Sequence, residues 1–155
     1  MKNFILIIIS ATFLSSNTPI QEETVTLSVK PTVFNLSQLP ETVEVTMINN
    51  TRETILAGLH YWIERFENNK WVKVSPDQVF EDVGYNFSPS VFYTYEKNLF
   101  REEIDYKVGK YRIVKYYLKS DYQKPEEEVK VYAEFYVKKC GADDVNNSGN
   151  GKWVR

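Results

Sequence analysis

Tyr106-Lys107-Val108-Gly109-Lys110-Tyr111-Arg112-Ile113-Val114-Lys115-Tyr116-Tyr117-Leu118 joins a tight, glycine-containing turn to a strongly alternating strand, and a tyrosine follows the glycine by two residues. That spacing predicts a tyrosine corner: a Tyr near the start of a strand returns its hydroxyl to backbone a few residues upstream and pins a crossing between packed sheets. The stretch therefore predicts a β-sandwich. Tyr111 and Ile113 point inward on this reading, and Arg112, Val114 and Tyr116 point outward.

The remaining segments read as strands on the same criterion. Residues 129–137 alternate most cleanly, with Val129, Val131, Ala133, Phe135 and Val137 inward against Lys130, Tyr132, Glu134 and Tyr136 outward. Near the start, Val25, Leu27 and Val29 alternate with Thr24, Thr26 and Ser28, and Pro31 interrupts pairing as at a sheet edge. Residues 42–48 repeat the pattern and close on the turn cluster Asn49-Asn50-Thr51. Asn68-Asn69 separates the β-rich runs 59–66 and 71–74, which predicts a hairpin. Ser88-Pro89-Ser90 separates two short strands, 82–87 and 91–95, and residues 99–105 supply one helical turn ahead of the corner.

The run Gly109 to Lys115, Gly-Lys-Tyr-Arg-Ile-Val-Lys, resembles the signature of a family of bacterial immunoglobulin-like domains found in exported and surface proteins. Glu64, the Asn68-Asn69-Lys70-Trp71 turn and Gly84-Tyr85 are also similar to that family's pattern, so the likeness spans roughly residues 24–138. Family members commonly carry Leu and Pro where this chain has Tyr106 and Val108. The resemblance implies an immunoglobulin-like antiparallel β-sandwich of about seven to eight strands, with 82–87 and 91–95 as strands D and E. It makes Gly109, Tyr111, Arg112, Glu64 and Trp71 structural motif residues. It also implies a binding or structural module rather than an enzyme, with no catalytic residue carried over.

Composition agrees with a single exported domain. The chain has 155 residues, a net charge of −2 and 26% charged residues, which leaves no electrostatic footprint for nucleic acid or an anionic membrane. Eleven tyrosines and nine phenylalanines suit the pleated surfaces of strands. At the amino terminus, Lys2, the apolar or small run 4–14 and Ser15-Ser16 read as a signal peptide spanning 1–16. Eleven helical residues reach only about 16 Å, against a hydrocarbon core of roughly 30 Å. The expected organisation is thus signal peptide 1–16, sandwich 17–139 and polar tail 140–155, in a protein exported to the periplasm, cell surface or medium. Cys140 is the lone cysteine, so no internal disulfide forms. Glycosylation triplets begin at Asn35, Asn49, Asn86 and Asn146 and read as coincidence in a bacterial chain.

Catalytic and metal chemistry finds few residues to use. His60, the sole histidine, falls within a predicted strand rather than on a loop that a substrate reaches. One histidine and one distant cysteine do not make a zinc site, and no phosphate loop or cofactor motif appears. Asp144 to Gly149 matches the first half of a calcium loop, but the position of the bidentate acid falls on Arg155. Paired carboxylates of a small hydrolase such as a glycosidase stay open as an alternative, because their separation is a three-dimensional quantity.

A surface is the remaining candidate. The alternation gathers Trp62, Tyr116, Tyr132 and Tyr136 on one outer sheet face, beside an expected Glu64–Arg112 pair that supports the sheet. Tyrosine and tryptophan are enriched in binding faces because they are large, amphipathic and lose little side-chain entropy. The expected ligand is a protein or glycan, with the polar connection 120–128 as the rival site.

Overall fold

Where apolar and polar residues alternate, the chain forms strands; the computed structural model describes residues 23–80, 83–119 and 128–139. In chain order the strands are β1 (Val25–Lys30), β2 (Val33–Asn35), β3 (Thr42–Asn49), β4 (Ile55–Gly58), β5 (Trp62–Glu67), β6 (Lys70–Lys73), β7 (Gly84–Phe87), β8 (Phe92–Asn98), β9 (Gly109–Lys119) and β10 (Glu128–Lys138). One sheet is β1-β3-β8. The larger sheet runs β2-β10-β9, after which β9 pairs with both β4 and β5, β4 with β7, and β5 with β6. These are the two layers of an immunoglobulin-like sandwich, and the inner faces carry the core.

Among the described residues ten strands replace the expected seven to eight, because two breaks in pairing set off the short strands β2 and β4 beside the expected runs. The first changes sheets: β1 pairs antiparallel with β3, and beyond Pro31, which has no N–H to give a ladder, β2 pairs parallel with β10. The second break lies where one strand over 59–66 was expected. From Leu56 to Trp62 the chain advances six residues while its partner β9 retreats four, from Leu118 to Val114, so two residues are looped out as a wide bulge. His60 sits in that bulge rather than within a strand, which corrects the sequence reading.

Two lysines account for the bulge. Lys115 is fully buried at an inward position of β9, and its Nζ donates to the carbonyls of Gly58 (2.8 Å) and His60 (3.2 Å). Lys97, buried on β8 in the opposite sheet, donates to the carbonyl of Leu59 (3.1 Å). Three consecutive carbonyls, of Gly58, Leu59 and His60, therefore accept from buried side chains. Both amines also stand over the Tyr95 ring, at 4.8 and 5.0 Å. Burial lowers both ammonium pKa values, that of Lys115 to about 7, with the neighbouring Lys97 charge pushing the same way. The bulge they hold joins β5, whose Ile63 belongs to one apolar cluster, to β4, whose Ile55 and Ala57 belong to the other; Leu27 touches both.

The corner forms as its spacing predicts. The Tyr111 hydroxyl accepts from the Lys107 N–H (2.9 Å) and donates to the Lys107 carbonyl (3.0 Å), while its ring stacks on Phe135. Tyr106 adds a second tie, its hydroxyl donating to the Leu99 carbonyl at 2.8 Å. Between them the turn 99–105 closes with Ile104 N–H on the Phe100 carbonyl. At the hairpin tip Asn68 and Asn69 both take left-handed φ values, 50° and 59°, as a two-residue type I′ turn requires.

Sheet membership corrects one assignment. Strands D and E share a sheet in the immunoglobulin pattern, but β7 pairs with β4 in the larger sheet and β8 with β3 in the smaller one. The turn between them carries the chain from one layer to the other.

Candidate functional site

Antiparallel register places the outward residues of β6, β5, β9 and β10 in rows across one face. One row is Lys73, Glu64, Arg112 and Glu134; the next is Trp62, Val114 and Tyr132. Val114 points outward as expected but is only 2% exposed, because the larger side chains of its row neighbours Trp62 and Tyr132 cover it.

Arg112 is the centre of the face. Its guanidinium lies 4.2 Å from the centroid of Trp71 and 4.7 Å from that of Tyr132. The same group donates to Glu64 Oε2 at 2.6 Å, and Glu64 Oε1 accepts from Trp62 Nε1 at 2.7 Å. Five residues from four strands are thus fixed in one network. Each cation–π contact contributes about 0.5–2 kcal/mol in partly desolvated settings, and charge-assisted hydrogen bonds add geometric constraint.

Two lysines extend the pattern. Lys110 stands 5.6 Å from Trp71 and pairs with Glu134 (2.7 Å), whose carboxylate holds the lysine pKa above its usual value. Lys130 stands 5.4 Å from Trp62. These lysines and Glu134 were absent from the sequence-derived candidates, although their period-two positions on β9 and β10 place them there. Tyr116 is half-buried at the other end of the face, against His60 at 5.7 Å. His60 also meets Trp62 and Phe80; burial first, and then Lys73 and Lys115, lower its pKa.

The face therefore divides in two. Trp62, Glu64, Trp71 and Arg112 are committed to one another, and Tyr116 is packed. Tyr132 and Tyr136 project, 52% and 43% exposed. Gly109 and Tyr111 belong to the corner, at the end of β9, and not to the face. Of the carboxylates on the face, Glu64 and Glu134 are each held by a cation, and Glu128 lies near enough to His60 to oppose the lowering of its pKa.

Residues 21–136 match the family model described as Bacterial Ig-like domain, which covers most of the chain. The chain belongs to the bacterial Ig-like domain family. Such domains are generally non-catalytic modules, in keeping with a face built from aromatic and ion-paired groups. No curated protein matches the chain. Among the described residues of this bacterial Ig-like domain, no helix is long and apolar enough to cross a membrane, and no cluster of three His, Cys, Asp or Glu side chains could hold a metal. The signal-peptide, calcium-loop, Cys140 and 120–127 readings lie outside the described residues. One glycosylation triplet is explained by structure: the Asn49 side chain is fully buried and donates to the carbonyls of Glu53 and Phe87.

Proposed function

We propose that this bacterial Ig-like domain is an exported binding or structural module of the cell envelope, and that a protein or glycan partner docks on the outer face of the larger sheet. The observation that carries the reading is the pair Tyr132 and Tyr136. Both rings stand exposed, Tyr132 itself positioned against Arg112, on a face locked by the Arg112 network. A platform fixed before binding loses little entropy when it binds, so exposed rings on it contribute most of their contact energy to affinity.

The test begins with the mature domain, expected to start near Asn17, used to recover partners from envelope extract and to probe a glycan array. Tyr132→Thr and Tyr136→Thr keep good β propensity. Each is expected to weaken binding by about 1–2 kcal/mol, or roughly 5- to 30-fold, with the melting temperature unchanged within a few degrees. Glu127→Ala is the control for the rival connection. Loss of binding in that variant, with both tyrosine variants retaining it, refutes the face as the site.

A further inference from the structure

The smaller sheet is one strand short. In the immunoglobulin pattern strand E lies beside D; here β7 has gone to the larger sheet, and β8 has a single partner, β3, among the described residues. Tyr85 of β7 stands opposite Ala57, on the face where Ala57, Ile55 and Phe87 are buried between the sheets. Tyr85 is nevertheless 43% exposed, so the smaller sheet stops before it covers this end of β7. Tyr93 of β8 also occupies an inward position, opposite the buried Met47, and is 44% exposed with its ring edge-on to Phe87 at 4.6 Å. The result is a shelf: Tyr85 forms its floor, and the backbone edge of β8 with Tyr93 forms its wall. The buried Tyr95 hydroxyl, near enough to Tyr93 and Tyr85 to feel their phenols, has no hydrogen-bond partner.

Charge gives the shelf a polarity. On the outer face of the smaller sheet one row runs Lys30, Glu44, Glu96. Glu96 ends the row directly opposite another carboxylate, an unfavourable cross-strand pair, with no cation bridging it among the described residues. The next rows toward the start of β8 end in Thr94, bonded to Thr46 at 3.0 Å, and in Phe92, 65% exposed.

We propose that the free edge of β8, above Tyr85, is a strand-acceptor slot for an extended segment of a protein partner, which lays apolar side chains on Tyr85 and Tyr93 and a lysine or arginine beside Glu96. A row of unpaired N–H and C=O groups is matched by polypeptide backbone, which is why the occupant is a protein segment rather than a sugar or lipid. Lys97, the one inward charge on β8, does not obstruct the slot, because its amine is already bound to the Leu59 carbonyl. The site lies on the smaller sheet and is independent of the aromatic face described above.

The probe is a capped, fluorescein-labelled ten-residue peptide that alternates valine and threonine, with one central threonine replaced by lysine. Added to the folded domain, it is expected to give a saturable anisotropy change and to slow amide exchange across Phe92–Asn98. The same peptide with glutamate for lysine is expected to bind at least about tenfold more weakly, and Glu96→Lys to invert that order. Absence of saturable binding overturns the proposal, as does protection confined to another edge or an unchanged order of the two peptides in the Glu96→Lys variant. Protection of the same amides that grows with protein concentration alone would assign the slot to a second copy of the chain and equally overturn it.

Discussion

Replacing Lys115 with methionine removes a charge from between the two sheets at nearly constant side-chain volume, and the effect has a definite pH signature. Burial, helped by Lys97, brings the folded-state pKa to about 7 from the ordinary 10.5. Between those values the unfolded chain holds a proton that the folded chain has released, so wild-type stability rises with pH across this window and its penalty is fully present below about 7. The limiting slope is about 1.4 kcal/mol per pH unit for one proton. Over pH 7–9.5 this gives at most about 3 kcal/mol, with relaxation around the bulge reducing it. The upper pH bound matters because the phenols of Tyr61 and Tyr95, pushed up to about 12 by burial, work in the opposite direction once unfolded tyrosines begin to ionise near 10. Lys115→Met removes this dependence but orphans the carbonyls of Gly58 and His60, so the variant is expected to be less stable than wild type at pH 9.5 and to draw level toward pH 7. Urea denaturation followed by tryptophan fluorescence at pH 6.5, 7.5, 8.5 and 9.5 measures the difference. A wild-type minus variant difference that stays constant over the series refutes the assignment of a neutralised amine to the core.

Tyr111→Phe is expected to cost about 1–2 kcal/mol, since both bonds to Lys107 are lost from a buried ring although the exposed Lys107 backbone regains some water; thermal melting should shift by about 5 °C or more, and an unchanged melting point would show that the corner carries no load. Asn49→Ala should cost more, roughly 2–4 kcal/mol, because the fully buried amide donates to two carbonyls and accepts from the N–H and hydroxyl of Thr51, and equilibrium unfolding tests it. Arg112→Met is expected to destabilise by about 1.5–3 kcal/mol by leaving Glu64 without its cation, and Arg112→Lys to restore only part of the loss, because an ammonium does not stack on Trp71 and Tyr132 as a planar guanidinium does; full recovery by lysine would contradict the stacking argument.

The sequence is most informative where neighbours along the chain carry the signal. Period two orients β9 and β10 correctly, and the turn chemistry of Asn68-Asn69 fixes the β5–β6 register, so the outward positions and the pairing of Glu64 with Lys73 follow from local rules, whereas the alignment of Glu64 with Arg112 is set by pairing of distant strands. The alternation also held the buried lysine in plain view: Tyr111, Ile113, Lys115 and Tyr117 form one inward series, and Lys115 is its only polar-headed aliphatic member. What the series does not contain is the partner. The carbonyls that satisfy Lys115 lie 55 and 57 residues away, and without them a lysine at an inward site reads as an error in the pattern rather than as the cause of a bulge. The separate strand β4 and the loop position of His60 were hidden for the same reason. Sheet membership is a different kind of blindness. A turn such as Ser88-Pro89-Ser90 reports that the chain reverses, but whether the next strand pairs beside the last or crosses to the facing layer depends on which edge is open when both arrive. Here β4 offers its edge to β7, and that choice is what leaves the second edge of β8 without a strand partner among the described residues. The open shelf above Tyr85 is therefore a consequence of long-range pairing, and no inspection of β7 or β8 by itself would have exposed it.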